Sequence, residues 1–564
     1  MKRNCAQNKT IQALLGWTFG LLALACPPAL ATEGPLPLRL SIVGTNDLHG
    51  NINALPTLGG YVQNLRAARS LDGGDVLLLD AGDMFQGTMA SNLGEGQVVV
   101  EAYNKLGYTA VAVGNHEFDF GAVGSSLLGD PRGALRARAK EAKFPFLAAN
   151  VWETATAKPL AGDNLVPSAM VRLKGISIGL IGVTTIDTPK STLAENFAGL
   201  TVHPLVETIV AEAKLLRAKG ADVIVVMAHA GGSCSRFDQP NELGSCKTSG
   251  SEAEIITVAK SLPAGTVDAI VGGHTHAGVA HVVSNIPIIE SYSSGRAFGR
   301  IDLWVDAKSR RVIGHDVFAP QNLCAEKPKN HGLDCITFEY EGKPVSPDPA
   351  LLKFVRKANQ DVHEVASKPL GAIAVTSIRR DYDGESALGN LLVDLMRAAR
   401  PNADVALANG GGIRKDLPAG PMTYGKLYEV MPFDNTFATA VVRGDQLKRV
   451  FEHNLRSRGG FLSQAGLQVS SVCVAGKLKV QLFRNDGKAI ADDETVTVVT
   501  NSFLATGGDG ALAGIKFEIE PGPPVRDELA RVLRQRGGQW VASELFVPGK
   551  PRHRYPGKRP VLCN

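Results

Sequence analysis

The stretch Val113-Gly114-Asn115-His116-Glu117-Phe118-Asp119-Phe120-Gly121 decides how the first half of the chain folds. It follows residues 108–113, a short alanine and β-branched run that reads as a buried strand. A strand ending in Gly-Asn-His sets a carboxamide and an imidazole at its carboxyl edge, where open α/β sheets bind ligands. Gly114 permits a sharp turn, Asn115 offers a neutral oxygen to a metal, and His116 points at a substrate. Asp119, three residues on, is within reach of the far nitrogen of that imidazole.

The same grammar recurs on both sides. Residues 38–43 alternate apolar and polar and lead to Asp47 and His49, which share one side of an extended segment. Residues 75–79 form an apolar strand closing on Asp80-Ala81-Gly82-Asp83, where a carboxylate has two oxygens to offer two metals. Residues 222–227 lead to His229, and residues 267–271 to Gly272-Gly273-His274-Thr275-His276. Helix-like stretches at 59–68 and 97–106 give strand-helix-strand alternation. Five strand ends carrying Asp, His or Asn beside glycine imply one shared site. Carboxylates mixed with imidazoles suit a divalent ion such as manganese, zinc, cobalt or magnesium.

This order, D-x-H, G-D, G-N-H-E, H and G-H-x-H, resembles the metallophosphoesterase superfamily, and residues 114–121 resemble its 5'-nucleotidase branch. The resemblance implies an α/β chain whose catalytic domain, residues 38–320, is a two-sheet sandwich holding two divalent metal ions. Asp47, His49, Asp83 and His276 would hold one ion, and Asp83 would bridge to a second held by Asn115, His229 and His274. The family commonly has Gln or Asn where this chain has His276. The implied chemistry is in-line attack of metal-bound water on phosphorus, with His116, oriented by Asp119, stabilising the developing oxygen charge.

Residues 321–366 read as a connector, polar at first and then helically periodic over 349–367. Beyond it, Asn409-Gly410-Gly411-Gly412-Ile413-Arg414 exposes backbone N–H groups and a guanidinium fork to an anion. Phe433 and Phe503 stand in segments rich in Gly and Asn, read as loops, where a planar base can stack. These segments again resemble the 5'-nucleotidases, whose α+β C-terminal domain, here residues 367–564, binds substrate. The resemblance implies a base sandwiched by Phe433 and Phe503, with Asn409, Gly411, Gly412, Arg414, Asn435 and Asp509 lining the pocket. A further phosphate-binding arginine is usual at the position of Tyr382, and Arg380, ahead of Arg379, is the nearest substitute.

Composition agrees with an exported globular protein. Of a formal charge of +5, three positive charges belong to Lys2, Arg3 and Lys9, ahead of any acidic residue. The remainder is near neutral and shows no basic stripe interleaved with aromatics, so no nucleic-acid partner is expected. The basic start, an apolar run over 11–25 and Ala29-Leu30-Ala31 read as a signal peptide, residues 1–31, with a periplasmic or secreted destination. No later apolar run is long enough to span a bilayer. Six cysteines remain after residue 31, and their spacing favours Cys234 with Cys246, Cys324 with Cys335 and, by elimination, Cys473 with Cys563. Fifteen pairings are formally open.

The expected function is hydrolysis of nucleoside 5'-monophosphates, extending to ADP, ATP and nucleotide sugars. The competing readings are a 2',3'-cyclic-nucleotide phosphodiesterase with 3'-nucleotidase activity, a thiosulfate-ester hydrolase, and a non-catalytic nucleotide-binding surface protein. Phe118-Asp119 favours the 5' branch, because the cyclic branch commonly has Asn at the second position.

Overall fold

The computed structural model describes residues 37–125, 129–326 and 335–563. The expected signal peptide lies outside the described residues, as does the 327–334 part of the connector.

Asp75–Asp80 and Val223–His229 are apolar nearly throughout and buried, as strands covered on both faces must be. Leu38–Thr45, Asp75–Asp80 and Ala110–Ala112 lie side by side and parallel in a seven-stranded sheet. Val223–His229 and Ala269–Gly272 run parallel in a second, six-stranded sheet. Leu40, Ile42, Leu77 and Leu79 of the first sheet meet Leu180, Val225, Met227 and Val271 of the second in one buried layer. Each such side chain contributes roughly 1.5–3 kcal/mol. Helices Leu55–Asp72 and Gln97–Leu106 cover the outer face of the first sheet, and Leu205–Ala218 and Glu254–Ser261 that of the second. A Cβ at Gly44 would stand 2.6 Å from Val271 Cγ1, so the sheets close tightly just before the strand ends.

The helix Pro349–Ala366 starts where the Asp348 side chain accepts from Leu351 N (2.9 Å). It buries Leu351 and Val355 in the core of the first half and touches Tyr424–Val430 of the second. The second half centres on a five-stranded mixed sheet containing Val405–Asn409, Thr495–Asn501 and Phe437–Arg443. Helices Ala387–Ala399 and Val525–Arg536 pack on it, the first capped by Ser386 Oγ accepting from Gly389 N (3.0 Å). All three expected disulfides are present: Cys234–Cys246, Cys324–Cys335 and Cys473–Cys563.

Two local readings change. Gly410–Gly412 is a 3-10 turn, not an open loop. Phe503 sits in a one-turn helix, Ser502–Ala505, and packs partly against the core. The Asn501 side chain starts that turn by accepting from Leu504 N (2.9 Å), a capping role that its place in a polar segment had hidden.

Candidate active site

Both sheets present the carboxyl ends of their parallel strands to one edge, and the five strand-end motifs meet there. Three clusters form: Asp47, His49 and His276; His49, Asp83 and His116; and Asp83, His229 and His274. Within each, the potential ligand atoms lie within 4.8 Å of one another. Asp47, His49, Asp83, His274 and His276 all have left-handed backbone, with φ of 50°, 49°, 58°, 82° and 56°. Such conformations cost of order 1–3 kcal/mol each in non-glycine residues and persist where surrounding structure imposes them, as at functional sites. Gly114 allows a close approach, since a Cβ there would lie 2.3 Å from Asp83 Oδ1.

The donor set fits divalent cations. Asp47 Oδ1 is buried and accepts no hydrogen bond, while His276 Nε2 stands 3.3 Å from it. His49 Nδ1 donates to the Gln86 carbonyl (3.0 Å), which leaves the lone pair on Nε2, 2.9 Å from His276 Nε2. His229 Nδ1 donates to the Ala81 carbonyl (2.9 Å), so its Nε2 faces Asn115 Oδ1 at 3.0 Å and Asp83 Oδ2 at 3.1 Å. Nitrogens and oxygens pointing at one another, with their outer atoms fixed by main-chain carbonyls, are what a metal site requires. Electrostatics agree. Burial opposes ionisation of Asp83, but His229 and His116 hold it well below the usual carboxylate range. Burial and the neighbouring His229 push His274 down to about 4, leaving it a neutral donor. Burial works against a charge on His229 too, yet Asp83 lifts it to about 10, so a proton must leave when it binds a metal.

His116 lies beside these clusters. Its Nδ1 donates to Asp119 Oδ2 (2.5 Å), and its main-chain N donates to Asp83 Oδ1 (2.9 Å). Thr192 Oγ1 donates to the other Asp119 oxygen (3.0 Å), which fixes the carboxylate.

The second half closes over the site. Arg414 Nη2 donates to His49 Nε2 (3.1 Å), and the Phe433 ring lies 5.7 Å from His116. A cleft of about 1750 Å³ between the halves is lined by Phe433, Phe503, Gly411, Gly412 and Asn435, among others. Asn409 Nδ2 donates to Asp509 Oδ2 (2.6 Å) at its wall. A Cβ at Gly508 would strike the Phe503 ring at 2.5 Å, so that glycine leaves the ring its place. Arg380, not Arg379, lines the cleft, its Nη1 donating to the Ile413 carbonyl (2.7 Å).

Sequence reasoning passed over three buried braces. Glu117 accepts from the main-chain N of Asp83 (2.8 Å), Met84 (2.7 Å) and Gly114 (2.7 Å), tying two ligand loops together. Its signal was a carboxylate directly after Asn-His. Glu290 does the same in the second sheet, and Asn46 Nδ2 donates to Asp47 Oδ2 (2.7 Å).

Residues 40–278 match the calcineurin-like phosphoesterases, and residues 364–539 match the C-terminal domain of 5'-nucleotidases. The chain joins a calcineurin-like phosphoesterase domain to a 5'-nucleotidase C-terminal domain. Among relatives, it is 28% identical over 526 residues to protein UshA of Escherichia coli, covering 86% of this chain and 89% of that protein. It is 28% identical over 529 residues to the 5'-nucleotidase of Vibrio cholerae, covering 87% and 89%. Among solved structures, the 5'-nucleotidase precursor of Thermus thermophilus superposes with a TM-score of 0.69 at 25% identity, covering 89% of this chain and 99% of that one. The sulfate thiohydrolase SoxB of the same organism reaches 0.69 at 17% identity, a likeness of fold.

Proposed function

We propose that this chain is a metal-dependent 5'-nucleotidase that hydrolyses nucleoside 5'-monophosphates to nucleoside and phosphate. The observation that carries the reading is one cleft in which candidate metal ligands from one half face two phenylalanines and an arginine from the other. Residues 38–320 supply the chemistry, residues 367–564 the substrate contacts, and residues 321–366 join them.

Asp47, His49, Asp83 and His276 would hold one divalent ion, and Asp83, Asn115, His229 and His274 a second; manganese, zinc, cobalt and magnesium are the candidates. Bound there, two such ions would neutralise phosphoryl charge and lower the pKa of a water. Water attacks phosphorus in line with the departing 5'-oxygen. His116, oriented by Asp119, presents Nε2 to the oxygen that gains charge and passes it a proton. Arg414 binds the phosphoryl oxygens as a fork, and Arg380 adds positive charge beside it. Phe433 and Phe503 stack on the base, while Asn409, Gly411, Gly412, Asn435 and Asp509 shape the nucleoside pocket. Phe433→Ala and Phe503→Ala are each expected to raise the KM for AMP roughly 5- to 150-fold, equivalent to about 1–3 kcal/mol of stacking. Steady-state kinetics checks this.

The cleft volume of about 1750 Å³ exceeds the roughly 300–1,000 Å³ of ordinary ligand pockets, which supports di- and triphosphates and nucleotide sugars as further substrates. Three disulfides and the sequence of residues 1–31 support export to an oxidising compartment. No described helix is long and apolar enough to cross a membrane. The deciding assay is phosphate release from AMP, 3'-AMP and 2',3'-cyclic AMP. AMP should be the preferred substrate, and cleavage of the cyclic ester alone would overturn the assignment.

A further inference from the structure

The strand Ile286–Ser291 carries no proposed ligand, yet its end holds the loops that do. Glu290 is 1% exposed, near the end of an otherwise uncharged strand. Its Oε2 accepts from Gly232 N (2.8 Å), three residues past His229. Its Oε1 stands 2.6 Å from Thr275 Oγ1 and 3.2 Å from Thr275 N, midway between His274 and His276. Thr275 Oγ1 in turn donates to the Gly232 carbonyl (2.7 Å), so the two ligand loops are stitched to each other as well as to Glu290. The next residue extends the brace: Ser291 N donates to Asn46 Oδ1 (2.9 Å), and Asn46 holds Asp47. The packing leaves no slack, since a Cβ at Gly231 would lie 2.7 Å from Glu290 Oε2 and 2.3 Å from the Gly273 carbonyl.

No Lys, Arg or His pairs with Glu290 among the described residues, and a lone buried charge is costly. Burial pushes its carboxyl well above the usual range. A neutral carboxyl also resolves the hydrogen bonding. The single Thr275 hydroxyl proton goes to the Gly232 carbonyl, and Glu290 Oε1–H then donates to Thr275 Oγ1.

We infer that Glu290 is a positioning residue, a hydrogen-bond frame that sets His229 against the His274–His276 loop through its two oxygens, not through charge. This rests on the metal reading proposed above. A frame of this kind controls how tightly a metal is held, and partners behind the ligands typically alter affinity about 10- to 100-fold.

The test is isothermal titration of Mn2+ into the metal-stripped full chain, alongside the melting temperature of the metal-free protein. Glu290→Gln, whose amide oxygen accepts from Gly232 N and whose amide nitrogen donates to Thr275 Oγ1, losing only the longer contact to Thr275 N, is expected to bind Mn2+ nearly as tightly as the unsubstituted chain. Glu290→Leu should weaken one of the two binding events about 10- to 100-fold. Equal affinity in Glu290→Leu would overturn the inference, and so would an equal loss in Glu290→Gln and Glu290→Leu, which would assign the role to charge. Should Glu290→Leu fail to fold, Thr275→Val removes the stitching hydroxyl at constant shape. A weakened event in that variant supports the frame, and unchanged affinity overturns it. If the unsubstituted chain binds no Mn2+, the metal reading itself fails, an outcome separate from the others.

Discussion

Asp83→Ala should reduce AMP hydrolysis about 10²- to 10³-fold, the scale expected when a group that organises transition-state charge is removed. Asp83 alone is shared by the two proposed metal sets: it clusters with His49 on one side and with His229 and His274 on the other, its Oδ2 3.1 Å from His229 Nε2. Its Oδ1 accepts from His116 N (2.9 Å), so its loss also frees the loop that carries His116. The effect should appear in kcat and in Mn2+ stoichiometry together. Asp83→Asn separates the two contributions. It keeps an oxygen for His116 N but removes the charge, so the His116 loop should hold while metal affinity falls. Circular dichroism should show the fold retained in both variants, because Asp83 lies beyond the strand end and outside the hydrophobic clusters.

His116→Ala should lower kcat about 10²- to 10⁴-fold, the usual range for losing a general acid, with KM for AMP little changed. The reason for expecting a kcat effect is positional. The imidazole sits beside the clusters, held at Nδ1 by Asp119, with Nε2 left for the reacting oxygen. Mn2+ binding should survive, in contrast to Asp83→Ala. Asp119→Asn should lower kcat less, since the ring remains but loses its orientation. The double variant should be no slower than His116→Ala alone, because two residues acting as one unit are not additive. A full second loss in the double variant would show that Asp119 works independently of His116.

Much of the candidate site was legible because its carboxylates and imidazoles stand at strand ends. Asp47, His49, Asp83, Asn115, His229 and His274 each follow a buried apolar run and lie within three residues of a glycine, and the parallel sheets carry all of them to one edge. The braces were not legible in the same way. Glu290 appears in sequence as a single carboxylate inside Ile288-Ile289-Glu290-Ser291, with no motif around it. Its partners, Gly232 and Thr275, are 58 and 15 residues away, a juxtaposition that only the strand pairing creates. The left-handed backbone of His274 and His276 was hidden for a related reason, since it is imposed by the fold and not by residue type. The inter-half contacts follow the same rule. Nothing local in Asn92 foretells that its Nδ2 donates to the Pro432 carbonyl (2.9 Å), or that Arg414 reaches His49.

The most direct measurement is phosphate release from AMP by the full chain, first stripped with a chelator and then titrated with Mn2+. Hydrolysis should vanish in the stripped protein and return in proportion to metal until two ions per chain are bound. Undiminished hydrolysis by protein shown to be metal-free would mean that Asp47, Asp83 and their histidines gather for some other purpose.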